Sequence, residues 1–143
     1  MGAVKGTWLI LDLWSGIGGL LVAALSIGMH CYAVTAESDP SAAACVAECF
    51  PNAVAVSQVA EVHGKALVPF LKRRNIRGIL AGGGSPYQGN SALNSGRKGL
   101  QDERSCEPIE LFRLRAELEA LPEAADLELV FLLENVAPVC RMM

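Results

Sequence analysis

Residues 8–19 read Trp-Leu-Ile-Leu-Asp-Leu-Trp-Ser-Gly-Ile-Gly-Gly, and this stretch decides the fold. The apolar run 8–13 is short, as is typical of a strand that is buried on both faces of a sheet. The glycines that close the stretch predict a tight turn, which leads into an apolar helix over 20–27 with Gly28 as its C-terminal stop. Because that helix is apolar all round, we expect it to be internal on every side.

Strand and helix patterns alternate along the rest of the chain. Further strands are expected at 31–36, 53–56, 76–81 and 127–133, and further helices at 41–49, 61–74 and 107–121. Such alternation predicts a parallel sheet with helices on both faces. On the last helix a leucine stripe should face the core, while two ion pairs cross the solvent-exposed face. These residues are Leu111, Leu114, Leu118 and Leu121 for the stripe, and Arg113–Glu117 and Arg115–Glu119 for the pairs.

Composition places the chain among ordered intracellular proteins. Its 143 residues suit one domain or part of one, and 52% hydrophobic residues with a mean hydropathy of +0.34 argue against disorder. The net charge of −3 gives no general attraction to nucleic acid, so DNA binding would need a local basic patch. Residues 13–35 lack charged side chains, but their glycines, His30 and the absence of flanking basic residues oppose a membrane span.

The five cysteines do not predict a metal site. They are odd in number and irregularly spaced, and no histidine or second cysteine pair completes a zinc-binding set. We therefore expect reduced and mostly buried thiols at Cys31, Cys45, Cys49, Cys106 and Cys140.

Unusual residues cluster where the predicted strands end, at 15–19, 37–40, 82–91 and 134–136. In parallel sheets the functional residues lie just beyond the carboxyl ends of the strands. The first glycine loop would bring backbone amides close to a ligand, and Glu37 could accept hydrogen bonds from ribose hydroxyls. Together they predict a nucleotide-like cofactor, the alternative being a tight turn without a ligand.

The later clusters are polar and suit a substrate. Residues 82–91 predict an exposed loop on a rigid strand, and the basic residues that follow are candidates for phosphate contacts, unless they form only a solvated loop. Glu134 ends a strand expected to be buried, where a carboxylate could bind the edge of a pyrimidine or be an incidental acid.

Taken in order, these segments resemble the DNA (cytosine-5)-methyltransferase family. The matching motifs are Asp12-Leu-Trp-Ser-Gly-Ile-Gly-Gly19, Glu37-Ser-Asp-Pro40, Gly83-Gly-Ser-Pro-Tyr-Gln88, Asp102-Glu-Arg-Ser105 and Glu134-Asn-Val136. The order and spacing of five motifs over nearly the whole chain are far more specific than any one of them. The resemblance implies a Rossmann-like, S-adenosylmethionine-dependent methyltransferase fold of the α/β class.

The resemblance also implies roles for individual residues. The residues that the resemblance implies for S-adenosylmethionine binding are Asp12, Trp14, Ser15, Gly16, Gly18, Gly19, Glu37, Ser38 and Gln58. For catalysis they are Tyr87 at the nucleophile position, Pro86, Gln88, Glu134 and Asn135, and for DNA they are Ser91, Arg97, Lys98 and Arg104. In the family a flipped cytosine is attacked at C6 by a cysteine thiolate, the glutamate assists at N3, and C5 accepts the methyl group.

Tyr87 is the gravest departure from the family pattern, because a cysteine stands there in the family. A phenol with a pKa near 10 supplies roughly 0.1% of a poorer nucleophile at neutral pH, where a thiol supplies a few per cent of a good one. Glu107 also replaces a usual leucine, and Gln58 lies near where an acid often contacts the adenine.

The family's target-recognition region and last two strands are not among these residues. We therefore expect 1–143 to be the cofactor-binding part of a catalytic domain truncated after the fifth strand, with an exposed sheet edge and weak or absent DNA binding. The leading hypothesis is an inactive homologue. Alternatives are a regulatory pseudo-enzyme that binds S-adenosylmethionine or a full-length methyltransferase, a relic, and a dinucleotide-dependent oxidoreductase fragment. The expected location is the nucleus in a eukaryote and the cytoplasm in a bacterium or phage.

Overall fold

A computed structural model describes residues 6–73, 75–84 and 107–134. Within them five strands form one parallel sheet in the order β3-β2-β1-β4-β5. The strands are β1 (Thr7–Leu13), β2 (His30–Ala36), β3 (Val54–Val56), β4 (Ile76–Gly84) and β5 (Glu128–Glu134). The helices are α1 (Gly19–Ser26), α2 (Pro40–Cys49), α3 (Gly64–Leu71) and α4 (Glu107–Glu119), with short 3-10 turns at Val59–Glu61 and Pro122–Ala124.

Strand β1 lies at the centre of the sheet, between β2 and β4. Residues 8–13 of this strand are all buried, as the apolar run predicts. Its side chains alternate between two cores, with Leu9, Leu11 and Leu13 in one and Trp8 and Ile10 in the other. The prediction of a strand buried on both faces is confirmed.

Helices cover both faces of the sheet. Leucines of α3 and α4 pack with Leu9, Leu11 and Leu13, whereas Leu21 and Ala24 of α1 pack with Trp8 and Ile10. The predicted stripe on α4 is confirmed, since Leu111, Leu114 and Leu118 are buried and Leu121 is half-buried. The predicted Rossmann-like α/β fold is therefore confirmed.

Helix α1 is not internal on every side. It buries Leu21 and Ala24, but Val22 and Leu25 are 56% and 49% exposed, and Ile27 just beyond the helix is 51% exposed. A single helix layered on a sheet buries only the face toward that sheet, whatever residues lie on the other face. The helix ends at Ser26, and Gly28, the predicted C-terminal stop, follows two residues later with a left-handed φ of 78°.

The helix expected at 61–74 is shorter in the structure. It begins at Gly64 and ends at Leu71, and residues 59–61 form a separate 3-10 turn. Val62 and His63 have extended backbone between the two, with ψ values of 107° and 140°. The Glu61 carboxylate accepts hydrogen bonds from the Ser57 hydroxyl and the Gln58 amide, which stabilises the turn instead of a continuous helix.

Strand β5 is less buried than the sequence predicts, and it lies at the edge of the sheet that the described residues form. Leu129, Phe131 and Leu133 are half-buried, while Val130 and Leu132 are exposed on the opposite face. Among the described residues no strand pairs with the outer side of β5, and the sheet face that carries Val130 and Leu132 is not covered.

The thiols are less buried than expected. Cys31 is half-buried, and Cys45 and Cys49 are exposed, because α2 buries little more than Val46. Cys106 and Cys140 lie outside the described residues. Among the residues that the structure describes, no helix is long and apolar enough to cross a membrane.

Candidate functional site

All five strands run in the same direction, so their carboxyl ends form one edge of the sheet. We call this the carboxyl edge, defined by the strand ends Leu13, Ala36, Val56, Gly84 and Glu134. Each of the described candidate residues lies at the end of one of these strands or in the segment that follows it. The topology thus gathers at one edge residues that are up to 122 positions apart, from Asp12 to Glu134.

The glycine loop turns sharply after β1. Trp14 and Gly16 both have a left-handed φ of 53°, and Gly18 has a φ of 91°. A Cβ atom on Gly18 would lie 2.7 Å from the ring of Phe50, so contact as well as backbone conformation requires glycine there. The Ser15 amide donates to the Ala36 carbonyl at 2.9 Å, which ties the loop to the end of β2.

Glu37 links the same two strand ends through its side chain. One carboxylate oxygen accepts the Gly16 amide at 2.7 Å and the other accepts the Asp39 amide at 2.8 Å. Each oxygen has a second lone pair, so the half-buried carboxylate can still accept hydrogen bonds from a ligand. Asp39 in turn caps α2 by accepting the Ala42 amide at 2.9 Å.

Asp12 lies beneath the loop and is only 2% exposed. Burial raises the pKa of this carboxyl to about 6, and the nearby Glu37 charge adds to the increase, although the Leu21 and Leu20 amides oppose it. The Leu21 amide donates to its Oδ2 at 3.3 Å, so Asp12 holds the first turn of α1 in place.

We predict that Asp12→Asn changes how stability depends on pH. Because the folded-state pKa lies above the ordinary value of 3.8, this group favours the folded state below about pH 4 and loses that contribution as pH rises through about 6. The shift corresponds to a loss on the order of 3 kcal/mol. Urea unfolding from pH 4 to pH 7.5 should show the wild type losing stability relative to Asp12→Asn across this window.

The control for that experiment is Glu119→Gln, which removes an exposed acid. Its stability curve should remain nearly parallel to that of the wild type. A parallel curve for Asp12→Asn would show that Asp12 titrates normally.

Ser15 provides a test of whether the loop fits a ligand. Ser15 is only 7% exposed, and its Oγ has no hydrogen-bond partner among the described residues. A buried hydroxyl without a partner is costly unless a bound group satisfies it. Ser38 is exposed beside Glu37, and Gly19 begins α1 with open space where a side chain would lie. A ligand with hydroxyl and carboxylate or amine groups fits this combination of donors and acceptors.

Gln58 is exposed at the end of β3, immediately before the 3-10 turn. Its backbone amide donates to Glu61 at 2.7 Å. Hydrogen bonds from the Ser57 hydroxyl and the Gln58 amide lower the pKa of Glu61, so its carboxylate stays charged and holds the turn. The turn therefore has a defined conformation at the carboxyl edge.

Glu134 lies opposite Gly84 in the pairing of β5 with β4. Its Oε2 is 3.7 Å from where a Cβ atom on Gly84 would lie. The Glu134 carboxylate is thus next to the point at which the chain enters the segment that carries Tyr87. The other candidates, Pro86, Tyr87, Gln88, Ser91, Arg97, Lys98, Arg104 and Asn135, lie outside the described residues.

Arg113 and Glu117 do not lie on a fully solvent-exposed face. Their side chains pair at 2.6 Å as predicted, but they are 27% and 33% exposed because they contact the segment between β3 and α3. The spacing on α4 indicated the pair and gave no signal of these contacts, which join residues about 50 positions apart. The Arg115–Glu119 pair is on the exposed face as predicted.

Among the described residues, no group of three or more histidine, cysteine or acidic side chains could hold a metal ion. In the part of the chain that the structure describes, the carboxyl edge presents backbone amides, carboxylates, serine hydroxyls and a carboxamide.

Solved methyltransferase structures share this fold. A DNA modification methyltransferase encoded within a prophage of E. coli superposes with a TM-score of 0.63 and 29% identity over 95% of this chain. The Entamoeba histolytica methyltransferase EhMeth gives 0.62 and 20% over 93%, and the S. pombe Dnmt2 methyltransferase gives 0.52 and 18% over 90%. No protein-family model matches the sequence, and no curated protein matches it significantly.

The two more distant structures show a shared fold, and the prophage enzyme adds sequence similarity over nearly the whole chain. The resemblance to DNA methyltransferases that the sequence motifs indicated is thereby confirmed. The chain spans between 33% and 39% of the length of these three proteins.

Proposed function

We propose that this DNA methyltransferase homologue forms the S-adenosylmethionine-binding part of a cytosine-5 methyltransferase domain and is inactive as a methyltransferase because Tyr87 replaces the nucleophilic cysteine. One observation carries the cofactor part of the proposal. The Glu37 carboxylate lies 2.7 Å from the Gly16 amide, so an acid suited to ribose hydroxyls and a glycine loop suited to close backbone approach share one site.

Each described residue has a distinct task in this proposal. Glu37 would bind the ribose hydroxyls, and Gln58 would contact the adenine. The Ser15 hydroxyl, which has no partner among the described residues, would gain one. Asp12 supports them indirectly by holding the start of α1. When bound, S-adenosylmethionine supplies an electrophilic methyl group.

The substrate side of the proposal depends on Glu134 and Tyr87. Glu134 lies beside Gly84, where its carboxylate would hydrogen-bond to a flipped cytosine. DNA as the substrate of a longer protein, with phosphate contacts from Ser91, Arg97, Lys98 and Arg104, is part of the proposal. With Tyr87 at the nucleophile position, C6 of the base would lack a thiolate to attack it.

Calorimetric titration with S-adenosylhomocysteine, the demethylated form of the cofactor, tests the cofactor part. We expect binding by the wild type and a roughly 10- to 100-fold weaker Kd for Glu37→Ala, since hydrogen bonds to a charged group contribute about 1.5–3 kcal/mol. Glu48→Gln, which alters an exposed acid on α2, should bind like the wild type.

NAD in place of S-adenosylhomocysteine is the competing ligand in that experiment. Tight NAD binding without any response to S-adenosylhomocysteine or S-adenosylmethionine would overturn the proposal in favour of an oxidoreductase fragment. The replacement of the nucleophile also suits a regulatory pseudo-enzyme. Cofactor-dependent co-purification with an active methyltransferase would identify that function.

A further inference from the structure

Arg113 lies at the centre of a contact between α4 and the segment that follows β3. Its Nε donates to Glu110 at 2.7 Å and its Nη1 donates to Glu117 at 2.6 Å. Its Nη2 donates to the Val62 carbonyl at 3.0 Å and, more weakly, to the Val59 carbonyl at 3.4 Å. One guanidinium thus joins two acids of its own helix to two carbonyls that are more than 50 positions away in sequence.

Glu117 completes the contact from the same helix. Its Oε2 accepts the Gly64 amide at 2.7 Å, at the first residue of α3. Although burial alone would raise the pKa of Glu117, the Gly64 amide and the Arg113 guanidinium hold it below its usual value. Hydrogen bonds to Glu110 and Glu117 likewise raise the pKa of Arg113 against the opposing effect of burial. Both side chains are therefore charged at neutral pH.

The segment fixed in this way is the one that follows Gln58. The Val59 and Val62 carbonyls belong to residues 59–62, the 3-10 turn and the residue after it, and Gln58 precedes them directly. Glu61 holds the start of the turn through local hydrogen bonds, whereas Arg113 connects its end to α4. Only Arg113 and Glu117 among the described side chains of α4 hydrogen-bond to residues 59–64.

We infer that Arg113 is a positioning residue for the adenine end of the cofactor, acting through the backbone of residues 59–62 to hold Gln58 at the carboxyl edge. This inference rests on the proposed function for the identity of the ligand. It assigns to α4 a second role besides covering the sheet. The planar, forked guanidinium is required, because a lysine ammonium can pair with Glu117 but cannot reach both acids and both carbonyls together.

Three variants test the inference. Arg113→Met removes all the contacts, Arg113→Lys keeps the charge, and Arg115→Met removes an arginine that pairs with Glu119 on the same helix but makes no carbonyl contact in the described residues. Binding of S-adenosylhomocysteine is measured by calorimetry, thermal unfolding gives the Tm, and hydrogen exchange follows the amides of residues 58–64.

We expect Arg113→Met and Arg113→Lys to weaken S-adenosylhomocysteine binding about 5- to 10-fold, roughly 1–1.4 kcal/mol. Exchange at the Gln58, Val59 and Val62 amides should become faster in both variants. Arg115→Met should leave affinity within about twofold and exchange in this segment unchanged. The Tm of Arg113→Lys should lie within a few degrees of the Tm of Arg115→Met. Lysine keeps the positive charge and so restores most of the stability, but it does not restore the hydrogen bonds that position the turn.

Two results would overturn the inference. One is wild-type affinity in Arg113→Lys, which would show that charge alone matters. The other is unchanged exchange of residues 58–64 in Arg113→Met, which counts against the inference whether or not the wild type binds the ligand. If exchange accelerates but the wild type does not bind S-adenosylhomocysteine, the contact positions the turn and the proposed function is wrong.

Discussion

Tyr87→Cys is expected to produce methyl transfer, and the same protein with Tyr87 is expected to show none. The chain would be joined to the C-terminal part of the prophage enzyme, which this chain matches with 29% identity over 34% of that protein. At pH 7 a thiol is ionised about 30 times more than a phenol and is intrinsically the better nucleophile. We therefore expect an increase of about a hundredfold or more in tritiated methyl transfer to DNA.

Two matched variants distinguish the effect of gaining a thiol from the effect of losing the tyrosine ring. Tyr87→Ala removes the ring, as Tyr87→Cys does, but supplies no thiol, and Tyr87→Phe keeps the ring without the hydroxyl. Both should remain inactive while binding S-adenosylhomocysteine. Methyl transfer by the Tyr87 chimera at the rate of the cysteine variant would show that the phenol is not the cause of inactivity.

Gly83→Ala is expected to cost more stability than any other glycine replacement at the carboxyl edge. Gly83 has a φ of 154°, and a Cβ atom there would overlap the Leu13 carbonyl oxygen and carbon of the central strand. Neither backbone can move without breaking the pairing of β1 with β4. We expect a loss of about 3 kcal/mol or more in the free energy of unfolding, measured by urea titration.

Gly84→Ala is the control, one residue further along the same strand. Its φ is not in the left-handed region, and among the described residues the only atom near its added Cβ is the Glu134 Oε2 at 3.7 Å. The free energy of unfolding of Gly84→Ala should fall by no more than about 1 kcal/mol. Equal losses for both variants would show that general flexibility of β4, and not the contact with Leu13, explains the effect.

The local pattern predicted the elements of the sheet because burial on both faces leaves an unambiguous apolar run. This held for β1, where residues 8–13 are all buried. It failed where burial depends on neighbours that the pattern does not contain. Helix α1 has the composition of an internal helix but exposes Val22 and Leu25, and β5 has the composition of a buried strand but exposes Val130 and Leu132.

The candidate site could be predicted in part for the same reason. Because parallel strands end at one edge, Glu37 could be associated with the glycine loop from the sequence alone. The 2.7 Å hydrogen bond from the Gly16 amide to Glu37 and the raised pKa of Asp12 could not be predicted from the sequence. Both depend on how closely the loop packs over β1. Arg113 was assigned to solvent for a related reason, since helix spacing reports partners on the same helix only.

By itself the sequence determined the order of the elements, the resemblance to methyltransferase motifs and the tyrosine at residue 87, where that resemblance implies a nucleophilic cysteine. These depend on residue type and on spacing along the chain, which local sterics, burial and intrinsic acidity translate into structure and reactivity. Only the tertiary structure decided which acids share the loop, which side chains remain exposed and what holds Gln58 in place. These depend on distances between residues far apart in sequence, which the packing of helices on the sheet sets.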